Sequence, residues 1–218
     1  TTPFLRLAPF KMEEVSLDPY IVLYHNAISD SEIEDMKQQA KNFTNGFTRS
    51  PSLNVTAKPN IVARIDWIEK MTPFTDRINV RVTDITGFDV NEFKTLQIAN
   101  YGIGGHFIPH FDYTTADRLS MKHIYGLGER TATVVFYASE VQGGATVFPN
   151  IQVTVQPQKG SALHWYNLFD DDSHNPLTLH TVCPVISGSR WTINKFIHSD
   201  AQLFRKPCLA RRISQLKN

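Results

Sequence analysis

A histidine and an aspartate stand two residues apart near the middle of the chain, in the segment YGIGGHFIPHFD. They are His110 and Asp112, and the residues around them favour a β-strand. In a strand, residues i and i+2 project from the same face, so the imidazole and the carboxylate point the same way. A His-x-Asp pair also arises by chance, as a surface histidine followed by a turn-forming aspartate. The pair supplies two of the three ligands that a divalent metal site needs.

The best candidate for the third ligand is His180, which lies in a second strand-like segment, TLHTVCPVI. Two imidazoles and one carboxylate on one face of an ion leave the opposite positions open, which suits Fe(II) that must hold a co-substrate and O₂. Arg190 follows ten residues later and would suit a co-substrate with a second carboxylate. Together these residues indicate an Fe(II) oxygenase that depends on 2-oxoglutarate.

Most of the eight histidines need no chemical role. Five of them lack a carboxylate partner on the same face of a strand, namely His25, His106, His123, His164 and His174. We interpret these five as packed or surface side chains.

The composition is that of an ordinary globular protein. The 218 residues fit one domain with a sizeable core, and 41% of them are hydrophobic and 20% charged. A formal net charge of +1 gives no reason to expect nucleic acid or an anionic membrane as a partner. No run of about 18 apolar residues is present, so no membrane span is predicted. The opening TTPFLRLAPF has neither an initiator Met nor a signal-peptide pattern, which favours a mature fragment.

The first third of the chain alternates strand and helix signals. Residues 20–28, YIVLYHNAI, are rich in β-branched and aromatic side chains and predict a buried strand. Ser29 and Glu32, three residues apart, form a capping-box pattern at the start of a helix. We expect that helix to end at Asn45-Gly46.

A second helix is predicted from Thr72 to Gly87, with proline in its first turn and glycine as its stop. About eight strand-like runs follow: KTLQIANY, HFIPHFDY, TATVVFYAS, GATVFP, IQVTVQP, GSALHWYNL, LHTVCPVI and RWTINKFIH. This order favours an α+β fold, a double-stranded β-helix (jelly roll) with N-terminal helices packed outside it. We assign 1–218 to a single domain, with 1–93 as helical and strand support and 94–200 as the jelly-roll core.

Cysteines and sequons bear on the cellular compartment. Cys183 and Cys208 say little by count alone, because two buried thiols would be ordinary. Asn42 and Asn54 stand in sequons and are glycosylation candidates, which favours a secretory compartment, although short sequons also arise by chance.

Several motifs along the chain occur in the order found in one enzyme family. They are the opening SLDPY…YHNAIS, then YGIGG…PHFDY, GGATVFP, WYNLF, H…CPV…G…W…NK and the terminal RKPC. Through these motifs nearly the whole chain resembles the catalytic domain of the collagen prolyl 4-hydroxylase alpha subunit.

The resemblance implies that His110, Asp112 and His180 hold Fe(II). It also implies that 2-oxoglutarate chelates the iron and is converted to succinate and CO₂ while C4 of a peptidyl proline is hydroxylated. The expected substrates are collagen-like X-Pro-Gly sequences. Ascorbate is expected as a further cofactor that rescues oxidised iron.

The distal carboxylate of 2-oxoglutarate is expected to meet a cation at position 190, helped by hydroxyl groups at Tyr101 and Thr133. The family usually has lysine at this position, and this chain has Arg190. A guanidinium can hold a carboxylate through two parallel hydrogen bonds, so the charge pairing is kept. Lys195 is a rival cation, but odd-even alternation from Arg190 places it on the opposite face of the strand.

The same strand carries two candidates for substrate binding or catalytic support. Phe196 stands where the family often has tryptophan, and it keeps an aromatic wall but loses the indole N–H. His198 shares the face of Arg190 and matches a family histidine near the peptide site; its alternative is a surface histidine at the strand end. The resemblance also implies a disulfide between Cys183 and Cys208.

Partners and compartment follow from the resemblance as well. Full-length alpha subunits pair with protein disulfide isomerase as beta subunit, and the expected location is the lumen of the endoplasmic reticulum. Two alternatives stay open: a related 2-oxoglutarate oxygenase that acts on another proline-containing protein, and a catalytically silent jelly-roll binding module. The intact ligand set together with Arg190 argues against the silent module.

Overall fold

The computed structural model describes residues 9–45, 61–113 and 128–203, in which strands prevail. Two α-helices occur in these ranges, α1 (Asp30–Gln39) and α2 (Pro73–Thr86). The strands, in chain order, are β1 (Lys11–Leu17), β2 (Tyr20–His25), β3 (Thr44–Asn45), β4 (Ile61–Val62), β5 (Arg64–Ile68), β6 (Leu96–Tyr101), β7 (His106–His110), β8 (Arg130–Tyr137), β9 (Val141–Gly143), β10 (Thr146–Phe148), β11 (Val153–Val155), β12 (Ala162–Tyr166), β13 (His180–Val182), β14 (Val185–Gly188) and β15 (Arg190–His198).

The strands form two main antiparallel sheets. The larger has the order β1-β2-β12-β8-β15-β6-β5-β3, and the smaller has the order β11-β10-β13-β7-β4. Strands β9 and β14 pair separately as a two-stranded ribbon. Apolar side chains of β2, β8 and β12 meet Phe148 and Val155 of the smaller sheet in a buried layer between the sheets. This is the predicted jelly roll, and the predicted α+β class is confirmed.

The helices cover the outer face of the larger sheet. The buried side chains that join them to it are, from the helices, Ile33, Met36, Phe74, Ile78 and Val82 and, from the sheet, Val22, Ile98, Val134, Phe136 and Ile193. Because side chains alternate along a strand, the neighbours of Val134 and Phe136 on β8 point to the opposite, inner face. That inner face carries the chemistry described below.

Helix α1 begins as predicted and ends earlier than predicted. The side chain of Ser29 accepts from the backbone of Glu32, and the Glu32 carboxylate accepts from the backbone of Ser29, which completes a capping box. The predicted stop at Asn45-Gly46 is wrong, because the helix ends at Gln39. Past it the backbone N–H of Asn42 donates to Asp66 of β5 (3.0 Å), and the chain continues into β3.

Helix α2 has both predicted ends. Thr72 caps its start in a box with Thr75, and Gly87, with φ 75°, ends it in the left-handed conformation. Strands β1 to β5 belong to the two main sheets, so the N-terminal part contributes strands as well as helices. The division of the chain at residue 93 stays a prediction. Neither helix of the described ranges is long and apolar enough to cross a membrane.

Cys208 and Asn54 lie outside the described residues. Cys183 is half-buried just after β13, and its pairing with Cys208 stays a prediction. Asn42 is exposed, as a glycosylation site requires, and its modification also stays a prediction.

Candidate active site

Pairing of β7 with β13 brings the two predicted histidine ligands together. His110 is the last residue of β7, His180 is the first residue of β13, and the two are direct cross-strand partners with ring centroids 4.2 Å apart. Asp112 follows β7, and its Oδ1 lies 3.8 Å from Nε2 of each histidine. The ligand atoms that the three residues offer all lie within 4.8 Å of one another, close enough for one metal ion.

The two imidazoles are oriented by the backbone of their own strands. Nδ1 of His110 lies 2.8 Å from the carbonyl oxygen of Ile108, and Nδ1 of His180 lies 3.0 Å from that of Thr178. A carbonyl oxygen only accepts hydrogen bonds, so Nδ1 carries the proton in both rings. In the neutral form of each ring, a proton on Nδ1 leaves the lone pair on Nε2, and this is the tautomer in which Nε2 can bind a metal.

The electrostatics of the cluster favour the same state. Burial, followed by the nearby His180, lowers the pKa of His110 to about 3. Burial alone would raise the pKa of Asp112, but attraction to His180, His110 and Arg130 and the hydrogen bond from Thr133 outweigh it and lower that pKa. At neutral pH the cluster thus offers a neutral imidazole at His110 and an ionised carboxylate at Asp112.

The three ligands lie in a cavity of about 630 Å³ between the two main sheets. The predicted co-substrate and substrate residues Tyr101, Thr133, Arg190 and Phe196 line the same cavity. A space of this size holds a small dicarboxylate and leaves room for part of a larger substrate.

Arg190 is a buried cation at the inner end of this cavity. It is 3% exposed and pairs with Tyr101 across β15 and β6. Its Nη2 donates to Thr146 Oγ1 (3.2 Å), while its buried Nε has no hydrogen-bond partner among the described residues. Among the described residues that line the cavity Asp112 alone is acidic, and it faces the imidazoles. A buried guanidinium in this state fits an anionic ligand, such as the distal carboxylate of 2-oxoglutarate.

Lys195 lies on the opposite face of β15, as the alternation predicts. Its side chain is 0% exposed, and its Nζ donates to the carbonyl oxygens of Phe93 and Thr95 instead of pointing into the cavity. Arg190 is thus the cation of the pair that lines the cavity.

Thr133 has a different contact from the predicted one. Its hydroxyl donates to Asp112 Oδ2 (2.7 Å) and accepts from Asn167 Nδ2 (3.0 Å), so its proton is already used by the carboxylate. The threonine hydroxyl next to Arg190 belongs to Thr146, which the sequence reasoning did not single out although it lies in the quoted motif GGATVFP. Asn167, in the quoted motif WYNLF, was missed in the same way.

Phe196 forms part of the cavity wall, and His198 does not. The guanidinium of Arg130 lies over the Phe196 ring, 3.9 Å from its centroid, and Trp67 lies beside it at 6.1 Å. The ring of His198 packs against Phe93, outside the cavity lining, although regular alternation would place it beside Phe196. The pairing of β15 with β8 shifts register between Ile197 and His198, and this irregularity accompanies the different placement.

Comparisons with known proteins agree with this geometry. Residues 96–198 match the sequence model of the 2OG-Fe(II) oxygenase superfamily. The chain is 41% identical over 210 residues to prolyl 4-hydroxylase subunit alpha-1 of Rattus norvegicus, and 40% identical over 210 residues to subunit alpha-2 of Caenorhabditis elegans. Each alignment covers 94% of this chain and 39% of the relative, so the chain spans well under half the length of these curated relatives.

Solved structures share the fold. A viral collagen prolyl hydroxylase from Paramecium Bursaria Chlorella virus-1, in complex with 2OG, superposes with a TM-score of 0.61 at 19% identity, covering 81% of this chain and 94% of that one. A prolyl hydroxylase of Trichoplax adhaerens, in complex with a hypoxia inducible factor peptide fragment, superposes with a TM-score of 0.57 at 17% identity, covering 85% and 86%.

Proposed function

We propose that the chain is a peptidyl-proline 4-hydroxylase of the 2OG-Fe(II) oxygenase superfamily, which uses Fe(II), O₂ and 2-oxoglutarate; the match of residues 96–198 to the model of that superfamily and the similarity to prolyl 4-hydroxylase alpha subunits support the proposal. The observation that carries the proposal is the presence, in one cavity, of the His110, Asp112 and His180 cluster and the buried guanidinium of Arg190. A metal site alone would fit many activities. The added buried cation selects a co-substrate with a second carboxylate.

The residues of the chain have separate tasks in this reaction. His110, Asp112 and His180 would hold the metal, and because they supply only three ligands, positions would be left for the co-substrate and O₂. Arg190 binds and orients the distal carboxylate of 2-oxoglutarate, with the Thr146 hydroxyl beside it. When bound, Fe(II) and 2-oxoglutarate supply the oxidising chemistry, in which O₂ is consumed, succinate and CO₂ are released and one oxygen atom enters a substrate C–H bond. The burial of His180, Arg190 and Thr146 limits the access of water.

The wider part of the cavity suits a proline-rich peptide. Trp67 and Phe196 offer aromatic surface for a proline ring, and Gln97, whose Oε1 accepts from Asn194 Nδ2 (2.8 Å), offers the N–H groups of its own amide. Proline has no backbone N–H, so a proline-rich peptide presents mainly carbonyl acceptors, which such donors complement. Collagen-like X-Pro-Gly sequences are the substrates that we propose, and another proline-containing protein is the alternative.

The remaining expectations belong to the same proposal. Ascorbate would sustain turnover, protein disulfide isomerase would pair with the full-length protein as beta subunit, and the reaction would take place in the lumen of the endoplasmic reticulum. The support for these three points is the resemblance to prolyl 4-hydroxylase alpha subunits, with two of which the chain shares 41% and 40% identity.

The test is turnover by the 218-residue chain with Fe(II), 2-oxoglutarate and a (Pro-Pro-Gly)-type peptide. We expect succinate in proportion to a peptide mass gain of one oxygen atom located on proline, and neither with a peptide that lacks proline. His180→Ala should abolish both products. His106→Ala is the matched control, because His106 makes the same Nδ1 contact with the carbonyl two residues earlier (2.9 Å) but lies outside the cavity.

Two results would decide against the proposal. Iron and peptide binding without succinate release would support the silent binding module. Succinate release with hydroxylation of a residue other than proline would support a different oxygenase.

A further inference from the structure

A line of hydrogen bonds leads from the buried indole of Trp165 to the carboxylate of Asp112. Trp165 Nε1 donates to Asn167 Oδ1 (2.8 Å), Asn167 Nδ2 donates to Thr133 Oγ1 (3.0 Å), and Thr133 Oγ1 donates to Asp112 Oδ2 (2.7 Å). Trp165 and Thr133 are 1% exposed and Asn167 is 0% exposed. We propose that Trp165 and Asn167 are positioning residues, which fix the orientation of the metal-binding carboxylate through Thr133.

The chemistry of the four groups allows one direction of donation. An indole N–H can only donate, so the side-chain oxygen of Asn167 faces Trp165 and its amide group faces Thr133. The Thr133 oxygen accepts from that amide group, so its own proton is free to go to Asp112. Without the indole, the asparagine could turn its oxygen towards Thr133, which would then donate to the asparagine instead of to the carboxylate.

The direction of donation matters because the two oxygens of Asp112 have different surroundings. Oδ2 is held by Thr133, while Oδ1 lies 3.8 Å from Nε2 of both His110 and His180. The carboxylate thus offers one oxygen to the position that the imidazoles share. With its second oxygen held by Thr133, the aspartate would occupy a single coordination position on a bound metal and would leave the others for the co-substrate.

Asn167 is also tied to the segment that leads to the third ligand. Its backbone N–H donates to Thr131 of β8 (2.8 Å), and its carbonyl accepts from Asn175 (3.1 Å). Asn175 caps the short turn that contains Thr178, whose carbonyl orients His180. Asn167 therefore links both ligand-bearing segments, so its side-chain and backbone effects must be separated by experiment.

The inference rests on the proposed metal site, and the primary readout is the binding of Mn(II) alone, measured by calorimetry without turnover. Asn167→Ala should weaken Mn(II) binding by about 10- to 100-fold, the range for residues that orient a metal ligand. Trp165→Phe should weaken it by a smaller factor, because it acts one hydrogen bond farther away. Phenylalanine keeps the aromatic packing of Trp165 against Phe148 and His180.

Matched controls remove equivalent hydrogen bonds elsewhere. Trp191 Nε1 donates to Ser189 Oγ (3.1 Å), and the buried Asn79 donates from Nδ2 to the carbonyls of Thr75 and Lys94. Trp191→Phe and Asn79→Ala should lower the melting temperature yet keep Mn(II) affinity within about twofold. If Asn167→Ala and Trp165→Phe behave like these controls, their role is only structural and the inference is wrong.

A double-mutant cycle tests the route through Thr133. Thr133→Val keeps the shape of the side chain and removes the hydroxyl, so adding Asn167→Ala to it should cause little further loss of Mn(II) affinity. The route is contradicted if the double variant loses Mn(II) affinity by the product of the two single-variant factors. Trp165→Phe in the Thr133→Val background repeats the test in case the alanine variant does not fold. If the wild-type chain binds no Mn(II), the proposed metal site itself is wrong. If the wild-type chain binds Mn(II) and the variants bind it equally tightly, the metal site stands without this positioning role.

Discussion

Arg190 and Lys195 are two buried cations on one strand with opposite surroundings. Arg190 lies near Tyr101 and Thr146 in the cavity, and its Nε is unpaired among the described groups. Lys195 uses its ammonium group on two backbone carbonyls on the far face of β15. The first can bind an anion at little further desolvation cost, since the guanidinium is already out of water. Lys195 stabilises the segment before β6, which contains Phe93 and Thr95.

Removal of the Arg190 guanidinium should therefore weaken the binding of 2-oxoglutarate. Arg190→Ala should raise its KM by about two to three orders of magnitude, since breaking a buried ion pair costs about 3–5 kcal/mol. Arg190→Lys should have a much smaller effect, because the charge remains. Initial rates of succinate formation against 2-oxoglutarate concentration measure both. Lys195→Met is the control and should leave this KM within about threefold; a large increase there would reverse the assignment.

Lys195 should make stability depend on pH. Burial, with a smaller contribution from Lys94, lowers the pKa of Lys195 to about 7, whereas an unfolded lysine has a pKa of about 10.4. At a pH between these two pKa values, the unfolded chain binds more protons than the folded chain. The contribution of Lys195 to the free energy of unfolding therefore increases as pH rises through this range, and it is lost as pH falls towards 7. Urea titrations at pH 7 and pH 9 give the unfolding free energy of each protein. The value for wild type minus the value for Lys195→Met should be more positive at pH 9 than at pH 7. Equal differences at both values would contradict the lowered pKa.

The turn between β6 and β7 leads from the larger sheet to the strand that ends at His110. Gly105 begins this approach, and a Cβ on it would lie 2.7 Å from the Gly102 carbonyl oxygen and 2.9 Å from the Val62 carbonyl oxygen. Its own carbonyl accepts from Val185 (3.0 Å), which joins the turn to the chain after β13. The turn at Gly105 therefore lies between Val62 on one side and Val185 on the other, directly before β7.

A side chain at Gly105 should disturb both the fold and the metal site. Gly105→Ala should lower the free energy of unfolding by about 1–3 kcal/mol, as overpacking does, and should weaken Mn(II) binding because β7 must move. Gly102→Ala is the matched control, since a Cβ there meets nothing within 4 Å. Urea unfolding and Mn(II) calorimetry compare the two variants. Unchanged Mn(II) affinity in a destabilised Gly105→Ala would show that the turn does not position the site.

Two of the concave regions formed by the described residues differ in charge balance. The larger, of about 1060 Å³, lies beside α1 and α2, but its arginines already have partners: Arg81 pairs with Glu32 (2.8 Å) and Arg77 with Asp35 (2.6 Å). The smaller cavity between the sheets holds Arg190 and the three candidate ligands. The anionic co-substrate is therefore expected between the sheets, where its binding joins segments from both of them.

Ligand binding between the sheets should raise the stability of the whole domain. Mn(II) at about 100 times its dissociation constant should add about 2.7 kcal/mol, which thermal unfolding records as a higher Tm, and 2-oxoglutarate should raise it further. His180→Ala should lose most of this gain, because the metal would be left with ligands from one strand end. His106→Ala should keep it. A gain of equal size in His180→Ala would place the ligands elsewhere.

Much of the site was determined by the sequence itself. The opposite faces of Arg190 and Lys195 follow from the two-residue period of a strand, which needs no knowledge of distant residues. Asp112 lies beyond the end of β7, so the strand period alone does not explain its approach to His110. The ends of α2 were predictable for the same reason, since a capping box and a stop glycine act within one helical turn. The alternation failed at His198, where the strand register shifts.

Only the tertiary structure decided how distant segments meet. His110 pairs with His180, and hydrogen bonds join Trp165 and Asn167 to Thr133. These contacts link residues that are far apart in the sequence, and no repeating sequence pattern predicts them. A threonine in a strand looks the same whether its hydroxyl meets a co-substrate or a neighbouring carboxylate. That choice depends on which donors and acceptors the packed sheets bring within about 3 Å, and packing is a property of the whole chain.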